Sequence, residues 1–342
     1  MTTILVSASG APGTAALLRA LRENGERHVR LVGTDMSELA IGRHLCDAFH
    51  VVPRGADPRF ADAMVEVCRA EAVDVLLPQS SHDLLGLAEG KERFDGVAVL
   101  VSSPEAIRRA NDKADCYALL ERIGVRAPAW RRAAGADAVA AAAGDLGYPD
   151  RDVGVKPVFS SGSRGFRILS ASADRREQLL TNRPGVAEAL RLEELAELLG
   201  DDVTELLVME LASGQERTID GIAEGGRILL GHPKTREALR AGLAMYFQTL
   251  DDPELMNVAA RVVAALELDH FFNIQLVGEH VIEVNPRIST IVYQEELNLP
   301  WLGVKHALGE IGADELAAYA GRVRPTRRAL RYFDQVEWDA TS

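Results

Sequence analysis

The chain has 342 residues, of which 47% are hydrophobic and 26% charged, proportions that exclude a disordered or low-complexity protein. Lys and Arg number 38 against 51 Asp and Glu, and the resulting net charge of −13 argues against nucleic acid as a general partner. A small anion in a locally basic cleft is not excluded. No apolar run approaches the roughly 20 residues of a membrane span, and no basic stretch precedes Ile4-Leu5-Val6. Cys46, Cys68 and Cys116 are scattered without metal-ligand spacing and read as reduced core thiols. The expectation is a cytoplasmic chain of two or three units with no membrane partner.

The first part alternates short apolar runs with amphipathic ones. Strands are expected at 4–7, 29–33, 49–52, 73–78 and 97–102, with helices at 14–24 and 61–70. Repeated strand–helix–strand units of this size imply a parallel α/β sheet. Helices then surround Asn111-Asp112-Lys113, an Ala-rich helix is expected over 133–146, and two more fall between 174 and 199. The remaining runs pair as hairpins: 153–157 with 166–169, 217–223 with 227–231, and 272–277 with 281–285, beside a strand at 204–211. The second half is therefore an antiparallel α+β unit.

Four segments carry chemistry. Gly10-Ala11-Pro12-Gly13, between a strand and a helix and with Asp35 ending the next strand, has the position of a dinucleotide loop. Its spacing lacks a third glycine, and Pro12 removes a donor, so a tight packing turn is the competing reading. The loop from Val155 to Gly165 offers small residues and hydroxyls to phosphate oxygens, with Lys156 in the strand before it, against the alternative of a surface hairpin. A three-residue turn Gly278-Glu279-His280 pairs Gln275 with Glu283 and Asn273 with Asn285. It leaves Ile274, Leu276, Ile282 and Val284 on the core face. Four oxygen-bearing side chains with one formal charge suit Mg²⁺ bound together with a polyphosphate, and otherwise read as a polar strand face. Last, Leu206 to Leu211 could line an adenine slot. A turn at Glu224-Gly225-Gly226 would set Lys234 opposite Glu216.

In order along the chain stand Asp112-Lys113, Gly147-Tyr148-Pro149, Val155-Lys156-Pro157, Ser160-Ser161-Gly162-Ser163-Arg164-Gly165, Met209-Glu210, Gly214-Gln215-Glu216, Asn273-Ile274-Gln275 and Glu283-Val284-Asn285-Pro286-Arg287. This set resembles the ATP-grasp superfamily, most closely its branch similar to the large chain of carbamoyl phosphate synthase. The resemblance implies a pre-ATP-grasp domain over 1–110 and an ATP-grasp domain over 111–330. The latter is built of two α+β subdomains clasping ATP, with a lid over about 125–210 and a tail at 331–342.

It also implies ATP phosphates on Lys113 and Lys156, a lid formed by Ser160, Ser161, Gly162, Ser163 and Gly165, adenine at Met209, Glu210 and Leu211, and ribose hydroxyls on Glu216. Gln275, Glu283 and Asn285 would hold Mg²⁺ or Mn²⁺, and Arg287 would face the transferred phosphoryl group. Lys234 and Arg236 are expected to hold an acceptor carboxylate. The chain is long enough for one such unit only, and Ile288-Ser289-Thr290 replaces the usual Gly-rich continuation. These departures favour a free-standing, ADP-forming carboxylate–amine ligase acting through an acyl phosphate on small molecules, with a homodimer expected from the fold type. The alternatives are an NAD(P)-dependent oxidoreductase using Gly10, Gly13 and Asp35, and a non-catalytic nucleotide-binding protein.

Overall fold

The computed structural model describes residues 1–159, 165–181, 187–240, 243–289 and 296–339. The first sheet is built from β1 (Thr2–Ser7), α1 (Thr14–Arg22), β2 (Val29–Asp35), α2 (Gly42–Leu45), β3 (Ala48–Val51), α3 (Phe60–Ala70), β4 (Val75–Pro78), α4 (Ser81–Glu89) and β5 (Ala98–Val99). Its strands are parallel in the order β3-β2-β1-β4-β5, as the strand–helix alternation predicts. Leu5, Leu31 and Leu76 are fully buried, each contributing about 1.5–3 kcal/mol by leaving water. The order reverses between β1 and β4, so the carboxyl ends of these strands open a crevice, with α4 at its edge.

Two capped helices lead out of this sheet. Ser103 caps α5 (Pro104–Asn111), and the Asp112 carboxylate accepts the Asp115 N–H at 2.9 Å to cap α6 (Lys113–Arg122). Asp112 also takes the Arg132 guanidinium at 2.7 Å, tying α6 to the second sheet. That sheet contains β6 (Trp130–Ala134), α7 (Ala136–Asp145), β7 (Val153–Pro157), β8 (Arg167–Leu169), α8 (Arg175–Thr181), β9 (Glu188–Leu190), α9 (Leu192–Leu199) and β10 (Glu205–Glu210). Its order is β6-β10-β7-β8-β9. The expected helix over 133–146 is corrected at its start: Ala133 and Ala134 end β6, and Gly135, at φ +79°, breaks the chain direction before α7. Strand β9 was not expected, and it pairs parallel to β8 rather than in a hairpin.

The chain continues with β11 (Glu216–Glu224), β12 (Arg227–Thr235), β13 (Glu237–Arg240), β14 (Leu243–Gln248), α10 (Pro253–Leu266), β15 (His270–Val277) and β16 (His280–Asn285), four of whose strands make the third sheet. Strands β12-β11-β15-β16 are antiparallel. Ala259, Val262 and Val263 of α10 pack under this sheet against Ile219, Ile274 and Val284. The chain then returns to the first sheet. Trp301 and Val304 of α11 (Leu299–Ala307) and Leu316 of α12 (Ala313–Ala318) share one core with Ile4, Leu18 and Leu31. Strand β17 (Arg328–Leu330) joins β14 and β13 in a small outer sheet. No helix among the described residues is long and apolar enough to cross a membrane.

Candidate active site

The polar face of β15 and β16 has the expected pairs, Gln275 opposite Glu283 and Asn273 opposite Asn285. The connection that produces them differs. The turn has two residues, Gly278 and Glu279, with Val277 opposite His280, and the ladder shifts between Gln275 and Leu276. Gly278 takes φ +55° and lies so close to the Ser213 carbonyl that a Cβ there would sit 2.4 Å from it, so no other residue fits. Ile282 is the extra residue of the bulge. It is therefore not on the core face, and Val281, fully buried, takes that place. The Ile282 carbonyl instead accepts from the Tyr117 hydroxyl at 2.9 Å and from Lys156 Nζ at 3.5 Å.

Asn273 ties this face together. Its Nδ2 donates to Thr218 Oγ1 at 2.6 Å and to Asp220 Oδ1 at 2.9 Å. Its Oδ1 accepts from Gln275 Nε2 at 3.0 Å and from Asn285 Nδ2 at 3.2 Å. Both amide nitrogens are thus turned inward, leaving the amide oxygens of Gln275 and Asn285 to face cations. Arg236 donates to the Gln275 oxygen and, at 2.6 Å, to Glu216, while Arg287 donates to the Asn285 oxygen at 3.4 Å. Burial pushes the Glu216 carboxyl up, against the opposing pull of Arg236.

Across from these oxygens lies a small cavity bordered by Ser81, Asn111, Lys113, Tyr117, Glu283 and Asn285. Lys113 is buried at the first turn of α6, and its desolvation lowers the ammonium pKa while Glu283 supports the charged form. Lys156 is pushed down to about 8 by burial, with Glu283 opposing and Lys113 adding to the shift. Two desolvated ammonium groups share one carboxylate here, so the local balance is positive inside an acidic chain. Arg287 adds a third cation, its Nε donating to Ser81 Oγ at 3.0 Å.

Lys234 departs from expectation. It lies opposite Thr218, not Glu216, because the turn consists of Gly225 and Gly226 alone, at φ +53° and +73°, and a bulge follows between Ile222 and Ala223. Its ammonium forms a buried ion pair with Asp220 at 2.5 Å and is not presented to a substrate carboxylate. The Arg236 guanidinium likewise bridges Glu216 and Gln275. Ser160, Ser161, Gly162 and Ser163 lie outside the described residues. Gly165, at φ +76°, packs where a Cβ would meet Pro157 at 2.8 Å and so closes the base of that hairpin. At the end of β10 Met209 is buried, and the Glu210 N–H is engaged by the Ala129 carbonyl at 2.8 Å. Gly154 lies against Met209 and Leu211.

Tyr117 and Ser81 were not anticipated. Tyr117 follows Lys113 by one helical turn, a signal the spacing does carry, whereas Ser81 is 206 residues from Arg287 and has no local signature. At the N-terminal turn the Asp35 carboxylate accepts the N–H groups of Gly10 at 2.8 Å and Ser37 at 3.0 Å. The acid that a dinucleotide reading requires is thus engaged in holding its own loop. Burial pushes the thiols of Cys46, Cys68 and Cys116 up to about 12, consistent with core packing.

Residues 202–328 match the family model described as ATP-grasp in the biosynthetic pathway with Ter operon, and residues 4–101 match the PylC-like N-terminal domain. The chain has the ATP-grasp fold. An L-amino acid ligase from Bacillus licheniformis superposes with a TM-score of 0.65 at 15% identity, over 96% of this chain and 78% of that one. A phosphoribosylglycinamide synthetase from Anaerococcus prevotii gives 0.61 at 15%, over 96% and 79%. An N5-carboxyaminoimidazole synthetase from Staphylococcus aureus gives 0.58 at 14%, over 84% and 70%. At these identities the likeness establishes the fold: the parallel N-terminal sheet followed by the ATP-grasp sheets, as the sequence resemblance implies.

Proposed function

We propose that this protein is an ADP-forming ligase that joins a small-molecule carboxylate to an amine through an acyl phosphate. The observation that carries the proposal is the cavity lined by Lys113, Glu283 and Asn285, with Lys156 held on the lining residue Ile282 and Arg287 on the lining residues Ser81 and Asn285. Lys113 and Lys156 hold the phosphates of ATP. With the Glu210 N–H engaged, the adenine edge is read by the Glu210 carbonyl and the Leu211 N–H, and Glu216 accepts the ribose hydroxyls.

Gln275, Glu283 and Asn285 fit Mg²⁺ or Mn²⁺. All three donors are hard oxygens, and guanidinium groups already rest on both amide oxygens, marking a place that favours positive charge. Charge neutralisation at the phosphate oxygens is what the metal supplies when bound. The chain's own contribution is positioning. Arg287 sets the γ-phosphoryl group against the substrate carboxylate. A carboxylate oxygen forms a bond to the γ-phosphorus as the bond to the bridging oxygen breaks and ADP leaves. The amine nitrogen then bonds to the acyl carbon, inorganic phosphate departs, and the amine proton passes to solvent. The lid keeps water from the acyl phosphate.

Phosphate release measured over a matrix of carboxylates and amines tests the proposal. ADP, phosphate and amide in equal amounts, formed only when both partners are present, are expected. AMP and pyrophosphate, or nicotinamide-dependent absorbance change, would overturn it.

A further inference from the structure

A cleft of about 670 Å³ leads away from the phosphate cavity along the first sheet's helices. Ser81 and Asn111 border both spaces, so the two adjoin. From there the cleft follows Ser81, Leu85 and Glu89, residues one helical turn apart on a single face of α4. The loop carrying Gly55 and Pro58 lies along it, brought close because Gly55 has no side chain; a Cβ there would sit 2.3 Å from the His82 carbonyl. Phe60 and Leu85 make the middle of the cleft apolar. Phe159, on the lid side of Lys156, also borders it and is 65% exposed, an unusual setting for a large aromatic side chain. The charged groups are peripheral and held in exposed pairs: Asp57 with Arg59, Glu89 with Arg108, and Arg93 with Asp62.

The end of the cleft has its own polarity. The Arg287 guanidinium sits on Ser81 at 3.0 Å, with Lys113 beside it in the adjoining cavity. A carboxylate gains from lying against these groups, whereas an ammonium group is repelled by them. The volume falls within the roughly 300–1,000 Å³ of sites that enclose drug-sized ligands and is far larger than bicarbonate or acetate needs.

We infer that the cleft seats the body of the phosphoryl-accepting substrate, a carboxylic acid with a large apolar body. Its carboxylate lies at Ser81 and Arg287 and its body between Leu85, Phe60 and Phe159. This inference rests on the ligase reading and narrows it to a substrate class. Phe159 is three residues from Lys156, so one strand end touches both the nucleotide phosphates and the apolar body.

Isothermal titration with acetate, hexanoate and phenylacetate, in the presence of Mg²⁺ and a non-hydrolysable ATP analogue, tests this. Phenylacetate and hexanoate are expected to bind at least tenfold more tightly than acetate. Leu85→Glu is expected to remove that advantage while leaving affinity for the ATP analogue within twofold, which also reports that the variant is folded. Phe159→Ser, at an exposed position with no folding role, is expected to weaken phenylacetate binding at least threefold. Equal affinities for the three acids, binding of none, or full retention of the preference in both variants would overturn the inference and leave the ligase reading standing. Failure of the wild type to bind the ATP analogue with Mg²⁺ would remove both.

Discussion

Replacing Asn273 with alanine separates the organisation of the proposed metal-binding face from mere folding. The side chain is 3% exposed and makes four hydrogen bonds. Two of its partners keep alternatives: the Thr218 hydroxyl still donates to the Ile274 carbonyl at 3.0 Å, and Asp220 keeps Lys234 and Ser289. The loss therefore falls on the Gln275 and Asn285 amides, whose N–H groups are left without an acceptor. Each such donor costs about 1–3 kcal/mol, so about 2–6 kcal/mol of stability should disappear in urea unfolding. The second consequence is chemical. Without Asn273, the two amides are no longer fixed with their oxygens outward. Loss of such an outer partner typically weakens metal affinity about 10–100-fold. Calorimetric titration of Mg·ATP should show a loss of that size. If the variant is destabilised yet binds Mg·ATP within twofold of wild type, Asn273 is only structural and the argument from amide orientation fails.

Removing Lys234 leaves Asp220, fully buried, without its cation, and Lys234→Met should lower stability by about 3–5 kcal/mol in urea unfolding at neutral pH. A loss below about 1 kcal/mol would show that the pair is not what holds β11 to β12. His232 gives a pH signature: burial, helped by Lys234 and opposed by Asp220, holds its pKa down to about 3 from the usual 6.5. The unfolded chain therefore takes up this proton first, and stability is lost as pH falls below about 6.5, saturating below about 3. Between pH 7 and 4.5 wild type should lose about 2–3 kcal/mol more than His232→Gln, and parallel pH profiles would refute this. Tyr117→Phe removes the hydroxyl that holds the Ile282 carbonyl at 2.9 Å and should lower stability by about 1 kcal/mol, read from the same unfolding curves.

The parallel sheet and the polar face were legible because both depend on periodicity. Alternation sets Asn273 with Gln275 on one side of β15 and Glu283 with Asn285 on one side of β16, and the pairing register brings the two sides together. Turn length was not legible. Gly278 permits a two-residue turn, and the bulge at Ile282 restores the register further along, so two local errors cancel at the site but move Ile282 off the core. At β11 and β12 they do not cancel: the Gly225–Gly226 turn and the bulge after Ile222 add, carrying Lys234 from Glu216 to Thr218 and into contact with Asp220. A cation on a strand thus reads the same from sequence whether it greets a substrate or neutralises a buried acid. Strand β6 was hidden because alanine has no strong β signature, and the pairing of Ala133 with Leu206 decides it. Ser81 at Arg287 depends on the packing of one sheet's helix against another sheet, which no local pattern encodes.

The most direct test is calorimetric titration of ATP with Mg²⁺ into wild type and Glu283→Ala. The wild type should bind ATP in a Mg²⁺-dependent manner. The variant, lacking the only carboxylate among the three oxygen donors Gln275, Glu283 and Asn285, should keep its fold and bind at least a hundredfold more weakly. Equal affinity in the two proteins, or no ATP binding by the wild type, would contradict the assignment of this face to Mg·ATP.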